Sequence, residues 1–438
     1  MEFARLGHLF VTVFLYNFAT FMVIPSITDV TMNALCPGQD ECSLAIYLSG
    51  FQQAITGLGS LVMMPVVGNL SDVYGRKALL TLPMSLGIVP LAILAYRRTE
   101  NYFYGYYLIK LLTAMFCEGS VLCLSLAYLA DNISETRRAS AFGMLAGIGS
   151  AAFVCGTLTA RLISTSSTFQ VSTFVSVFAI VYMRTFLVDS RCQIDETSPL
   201  LANTKEVEDG DSCRKIGVGK KIPSVKDMVQ LLSSSLTFTQ AAVVAFFSSL
   251  AEGGLHASMM YFLKAQFHFS KNQFADLMLI AGLASSISQL LLMPMLAPAL
   301  DEVKLLRIGL FAACVHMFLY SISWASWVPY FASSFCIVSV FAHPCIRSIA
   351  SKQLSPEEQG KGQGCISGMC SFANIVSPLT FTPLTALFLS DRAPFHFPGF
   401  SIMCTGFAMM VAFTQSTMIR ADVPVSNKKI SNNTFVEP

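Results

Sequence analysis

The chain has 438 residues, of which 54% are hydrophobic and 12% charged, and its net charge is +2. A charged share about half that of ordinary soluble domains excludes a conventional two- or three-domain soluble protein of this length. The near-neutral balance also carries no basic signal for nucleic acid.

The apolar residues come in blocks of about 20, the length of a helix that crosses a ~30 Å hydrocarbon layer at ~1.5 Å per residue. The blocks are continuously apolar and lack the alternation of barrel strands, so the spanning element is helical. Predicted spans lie at 6–28, 44–67, 78–96, 102–130, 139–163, 168–189, 236–263, 273–297, 305–323, 327–350, 362–389 and 396–418. The fold class is therefore an all-α membrane protein with twelve transmembrane helices in two six-helix bundles. An N-terminal bundle covers 1–189, a linker 190–235, a C-terminal bundle 236–420 and a tail 421–438.

Leu6–Ile27 is too long for a signal-peptide core and has no small-residue cleavage site after it, so it reads as a retained span. Cys36 and Cys42 flank a polar turn after it. They would form a disulfide if that loop faces an oxidising compartment, and otherwise remain free thiols. Most of the other cysteines, of 13 in all, fall inside spans as small apolar residues.

Between the second and third spans, residues 68–77 read Gly-Asn-Leu-Ser-Asp-Val-Tyr-Gly-Arg-Lys. Gly68 and Gly75 permit close helix approach and a tight turn. Asp72 is suited to the positively polarised N-terminus of a helix. Charge and glycine crowded between two apolar runs point to a sensor of helix position rather than a catalytic loop.

Span four carries Lys110 and Glu118, ionisable groups that are costly in lipid and usually face a cavity. Eight residues separate them by ~12 Å of rise, so they are not an obvious direct ion pair. Lys110 has the alternative of snorkelling to the interface. In span five, Gly143, Gly147, Gly149 and Gly156 recur at partly helical spacing, which tight packing explains. The segment Leu129–Gly143 after span four and the segment Ala350–Gly364 after span ten share a serine, then acids, a base and glycine. A weaker echo of residues 68–77 stands at Pro298–Gly309, where Asp301 and Arg307 survive but the glycine spacing does not.

The linker mixes acids and bases with little apolar sequence, as a flexible cytosolic connector does. Within it, Glu196-Thr-Ser-Pro-Leu200-Leu201 matches an acidic dileucine sorting pattern. Bound by a sorting adaptor, it would direct the chain to endosomal, lysosomal or vacuolar membranes; the plasma membrane is the alternative, with the match accidental. Span seven contains Glu252-Gly-Gly-Leu-His256. Spacing i,i+4 puts carboxylate and imidazole on one face, the glycines allow bending, and the imidazole titrates near neutral pH. The pair is the leading candidate for proton coupling, against a wet, structural place for His256 in an outer vestibule. His316, His343 and Arg347 are second-rank candidates, and Arg347 near the end of span ten has headgroup contact as its alternative role.

Six basic residues (Arg97, Arg98, Arg161, Lys264, Lys271 and Arg392) fall on one side and Lys110 inside a span; the rest of the 28 fall with the two termini. That is the positive-inside pattern with both ends cytosolic, Arg97 and Arg98 being the exception. The sequons at Asn69, Asn132 and Asn432 then lie on the cytosolic side, where they would stay unmodified. No zinc-ligand spacing, phosphate-binding glycine loop or nucleophile elbow stands out, so no cofactor or metal is expected.

Residues 68–77 resemble the Gly-x-x-x-Asp-(Arg)-x-Gly-Arg-(Arg/Lys) signature of the major facilitator superfamily. With Leu129-Ala130-Asp131 followed by Arg138, and Pro25 in span one, the chain is similar to tetracycline-resistance-like and hippocampus-abundant-transcript-like members of its drug:proton antiporter group. The resemblance implies two pseudo-symmetric bundles with substrate held between them near the midplane. It implies a latch in which Asp72 secures span eleven and Arg76 reaches Asp131; Val73 replaces the family's first arginine. Lys110 lies about where many relatives carry an arginine in span four. The span-five glycines resemble a degraded antiporter motif without its proline. Where relatives carry an acid in span one, this chain has Tyr16 and Asn17. The implied activity is secondary transport of a small organic solute by alternating access, as a proton-coupled antiporter. The alternatives are a uniporter, a proton-coupled nutrient symporter, or a transporter-shaped sensor or scaffold.

Overall fold

The computed structural model describes residues 2–35, 43–188, 231–232, 235–269, 271–390 and 393–419. Cys36, Cys42 and the sorting-motif residues Glu196, Leu200 and Leu201 lie outside the described residues. Among the described residues, ten helical stretches are long and apolar enough to cross a membrane. Two further long helices, Leu236–Phe267 and Phe400–Met418, bring the described spans to twelve. Large apolar side chains such as Val62, Phe174, Met295 and Leu379 point outward, as lipid-facing surface requires.

In chain order the helices are Glu2–Leu35, Ser43–Tyr74, Arg76–Tyr96, then Glu100–Cys117 and Ser120–Asn132 as the two parts of span four. Arg138–Leu162 and Thr165–Phe186 complete the first six. The second six open with Leu236–Phe267 and continue through Lys271–Leu296, Glu302–Ser321, the broken span 328–352, Gln359–Phe388 and Phe400–Met418. The buried apolar residues gather in two clusters drawn from 6–187 and one drawn from 231–419, which adds only Ala139 from the first six.

Four departures from the predicted spans matter for function. Residues 68–77 are not a loop: helix runs through Tyr74 and resumes at Arg76, leaving Gly75 alone as the turn at φ 92°. Only glycine reaches that conformation readily. Span four is not continuous, because Gly119 adopts φ 75° and divides it. Span eight contains a π-helical turn at Ser288–Leu292. Span ten is three short helices, Val328–Ser333, Cys336–Ser339 and Ala342–Lys352, the first and last with Pro329 and Pro344 near their starts.

The last two irregularities meet. The Ser288 hydroxyl donates to the Ile337 carbonyl, and the Gln289 amide donates to the Val340 carbonyl at 3.2 Å. Carbonyls freed by a broken helix inside a membrane need such partners, since lipid supplies none. The π turn of span eight thus stabilises the break in span ten. On its other flank it packs against span five, where a Cβ on Gly147 would lie 2.8 Å from Leu290 Cγ and one on Gly143 would lie 2.3 Å from Met293 Cγ. Gly143 and Gly147 are accordingly packing positions between the two sets of helices, whereas Gly149 and Gly156 face span one within the first set.

Candidate functional site

Two places combine charged side chains with contact between the first six helices and the second six. One is the membrane face that holds Gly75, called the motif face below. The other is a cavity further in.

On the motif face, spans two and eleven touch backbone to backbone. A Cβ on Gly68 would lie 2.1 Å from the Gly360 carbonyl oxygen, and one on Gly364 would lie 2.6 Å from that of Met64. Gly368 continues the seam beside the Leu61 carbonyl. Gln359 begins the helix of span eleven, so its first N–H groups have no partner within the helix. Asp72 supplies one: its carboxylate accepts from Gly360 N at 3.0 Å and from Lys361 N at 2.8 Å. The carboxylate therefore caps a helix from the other half of the chain, where the helix dipole also favours it.

Arg76, 3% exposed, holds that carboxylate in place. Its guanidinium reaches Asp72 at 2.5 Å and Asp131 at 2.8 Å, and it donates to the Ser71 hydroxyl. Asp131 stands at the end of the second part of span four. Gly68, Asp72, Gly75, Arg76 and Asp131 are thus brought together. A second tie crosses nearby, with Arg138 donating to the Ser351 carbonyl at 3.3 Å and to Ala130 at 3.1 Å.

The cavity, of about 300 Å³, opens between the two sets of six. Leu122, Leu126, Phe142 and Ala146 give it an apolar wall from spans four and five. Ser249, Glu252, His343, Arg347 and Asn374 give it a polar wall from spans seven, ten and eleven. Glu252 pairs with His343 at 2.8 Å, and not with His256 as the i,i+4 spacing implied. The break in span ten brings His343 and Arg347 round to span seven, and His256 is exposed outside the lining.

Gly253 and Gly254 do not interrupt span seven, which is one unbroken helix. A Cβ there would meet Ser377 Oγ at 2.9 Å or the Phe381 ring at 2.4 Å, so the glycines admit span eleven. Arg347 sits in the cavity wall rather than among headgroups. Its Nη1 donates to Gln363 Oε1 at 3.2 Å and to Ser367 Oγ at 3.1 Å.

The remaining candidates lie apart. His316 is buried with its Nδ1 3.4 Å from Cys336 Sγ, behind the cavity wall. Lys110 and Glu118 do not line the cavity, and neither side chain makes a hydrogen bond or ion pair among the described residues. Glu118 is near enough to Tyr16 and Tyr106 to exert its charge on both phenols.

Several participants escaped sequence reasoning. Gly360, Gly364 and Gly368 do carry a readable signal, the small-xxx-small spacing of close helix pairs. Ser249, Gln363, Ser367 and Asn374 are ordinary polar residues whose convergence depends on tertiary packing. Glu302, which binds Lys352 at 2.9 Å and accepts from Ser348 at 3.0 Å, stands one residue beyond the Asp301 that the sequence echo selected. Arg307 of the same echo instead donates to carbonyls at the end of span twelve, including Ile419 at 3.0 Å.

Membrane-crossing helices that meet on one face around a charged central cavity are the architecture of solute transporters. The chain belongs to the Major Facilitator Superfamily, whose family model matches residues 9–378. It is a multi-pass integral membrane protein, and its family is one of transporters, not enzymes. Hippocampus abundant transcript 1 protein of Homo sapiens is 22% identical over 340 residues, covering 76% of this chain and 65% of that protein. The chain thus spans less than two thirds of that relative's length. Tetracycline resistance protein, class E, of Escherichia coli is 22% identical over 336 residues, covering 76% of this chain and 77% of that protein. Among solved structures, the human organic anion transporter MFSD10 (TETRAN) superposes with a TM-score of 0.73 at 15% identity, covering 95% of this chain and 99% of that one. At such identity the likeness speaks for the fold alone.

Proposed function

We propose that the chain moves a small organic solute by alternating access, coupled to protons through Glu252 and His343. Asp72, Arg76 and Asp131 are the latch that keeps the motif face shut, and the cavity is the transport site. One observation carries this reading. The seam sealed by Asp72 and the charged cavity both lie between the same two sets of helices, so a rocking motion that breaks the first must reshape the second. Such a latch biases the equilibrium only because its contacts exist in one state and not the other. With both termini cytosolic, this is the outward-facing arrangement.

Coupling follows from the Glu252–His343 pair. A proton added to Glu252 removes the charge that binds His343 and frees both side chains to rearrange, the kind of step that intramembrane carboxylates serve in transporters. Proteoliposomes under an imposed pH gradient test it. In Glu252→Gln, gradient-driven accumulation is lost while exchange of solute across the membrane persists. Accumulation that survives the substitution would overturn the coupling assignment. The direction of proton flux in the parent protein separates exchange, as in the tetracycline resistance proteins it is similar to, from co-transport. Undetectable proton flux would leave a uniporter. For the linker, we propose adaptor binding at Glu196, Leu200 and Leu201 that delivers the chain to an endolysosomal or vacuolar membrane.

A further inference from the structure

We propose that the cavity binds a compact amphipathic organic anion, its carboxylate on Arg347 and its apolar body against Leu122, Leu126 and Phe142. This deepens the transport reading and rests on it. Among the charged groups lining the cavity, Glu252 is committed to His343, 2.8 Å away. Arg347 has no carboxylate within ion-pair distance among the described residues; its bonds go to the neutral side chains of Gln363 and Ser367, both through Nη1. Nε and Nη2 of the same guanidinium make no hydrogen bond among the described residues. They are the two donors of a planar fork that a carboxylate engages side by side.

A cation held inside a membrane protein without a counter-charge is costly, and such groups face substrate pathways. The counter-charge that Arg347 lacks is the one a carboxylate would bring. A cationic ligand meets the opposite situation, because the one acid in the lining already has a partner. The facing wall has no hydrogen-bonding side chain among Leu122, Leu126, Phe142 and Ala146, so it recognises the ligand by apolar contact. A volume of about 300 Å³ is at the small end of ligand sites, which restricts the body to something like one aryl ring on a short chain.

Three probes that share one skeleton test this on the full-length protein: 4-phenylbutyrate, its neutral amide, and 4-phenylbutylamine. Binding is read by thermal shift and titration in detergent, and flux by uptake into proteoliposomes. Expected is saturable binding of the carboxylate, with the amide and amine weaker by about tenfold or more. Arg347→Gln should weaken the carboxylate by about ten- to a hundredfold and leave the amide unchanged. Arg347→Lys should recover only part of the loss, since an ammonium has no fork. If Arg347→Gln fails to fold, Phe142→Ala supplies the second measurement: it should weaken 4-phenylbutyrate more than acetate. Equal binding of carboxylate and amide, preference for the amine, or no carboxylate binding at millimolar concentration overturns the proposal and leaves alternating access standing. Arg347-dependent binding of the carboxylate without its uptake does the reverse, since it supports the anion site and removes the transport reading.

Discussion

Two ion pairs stand at matching places on the motif face, and their signs are opposite. In the first six helices Arg76 opens span three and binds Asp131 at the end of span four. In the second six Glu302 opens span nine and binds Lys352 at the end of span ten. Geometry is preserved while charge is exchanged, so the contact within each set depends on complementarity and not on which partner is the cation. The resemblance ends there. Arg76 also grips Asp72, which reaches across to span eleven, whereas the other contact of Glu302 is Ser348 in its own set. The return crossing is left to Arg138 and a backbone carbonyl. Of the two pairs, only the first is bonded to a side chain that crosses to the other set.

Asp72→Asn should therefore have the largest effect. Removing one partner from a buried charge pair costs about 3–5 kcal/mol, and asparagine still accepts one of the two helix N–H bonds, which places the loss at the low end. Transport should fall more than about tenfold with insertion unchanged, as measured by flux in proteoliposomes against surface labelling. Normal uptake by a correctly inserted variant would remove the latch.

Gly360→Val should come next. Its Cβ would fall 2.2 Å from Arg76 Nη1 and 2.4 Å from the Gly68 carbonyl oxygen, and overpacking of this kind costs about 1–3 kcal/mol. Spin labels at Tyr74 and Glu357, read by pulsed dipolar spectroscopy, should report a wider motif face. An unchanged distance distribution would mean that the seam tolerates bulk.

Double charge reversals sharpen the comparison. Glu302→Lys with Lys352→Glu should restore melting temperature and flux to within about twofold of the parent, since the contact is local. Arg76→Asp with Asp131→Arg should stay impaired, because the new carboxylate would face Asp72. Equal rescue of both would mean that the two pairs do the same work. Smallest of all, His256→Asn should leave proton coupling intact whereas His343→Asn removes it, judged by proton flux alongside solute flux.

The proposed latch residues from Gly68 to Arg76 were legible because they form one short stretch of sequence, two helix ends joined by the single turn residue Gly75, in which spacing fixes relative position. Their partners were not, since Gly360 and Lys361 lie 288 and 289 residues beyond Asp72, although the repeated glycines of span eleven could have pointed there. The central pair was misread for a related reason. Helical periodicity joined Glu252 to His256, and that rule speaks only of neighbours on one helix. What joins Glu252 to His343 is the interruption of span ten, and no period in the sequence records it. Pro329 and Pro344 stand near the starts of that span's first and last helices, but proline alone does not say that a span will fracture instead of kink.

The grip of Ser288 and Gln289 on the fracture in span ten has an evolutionary corollary. Those two side chains answer for carbonyls that hydrocarbon would otherwise leave bare, at several kcal/mol apiece. Spans eight and ten must then be inherited as a couple: a chimaera that grafts in a foreign tenth span alone should misassemble, and one that transplants both together should survive.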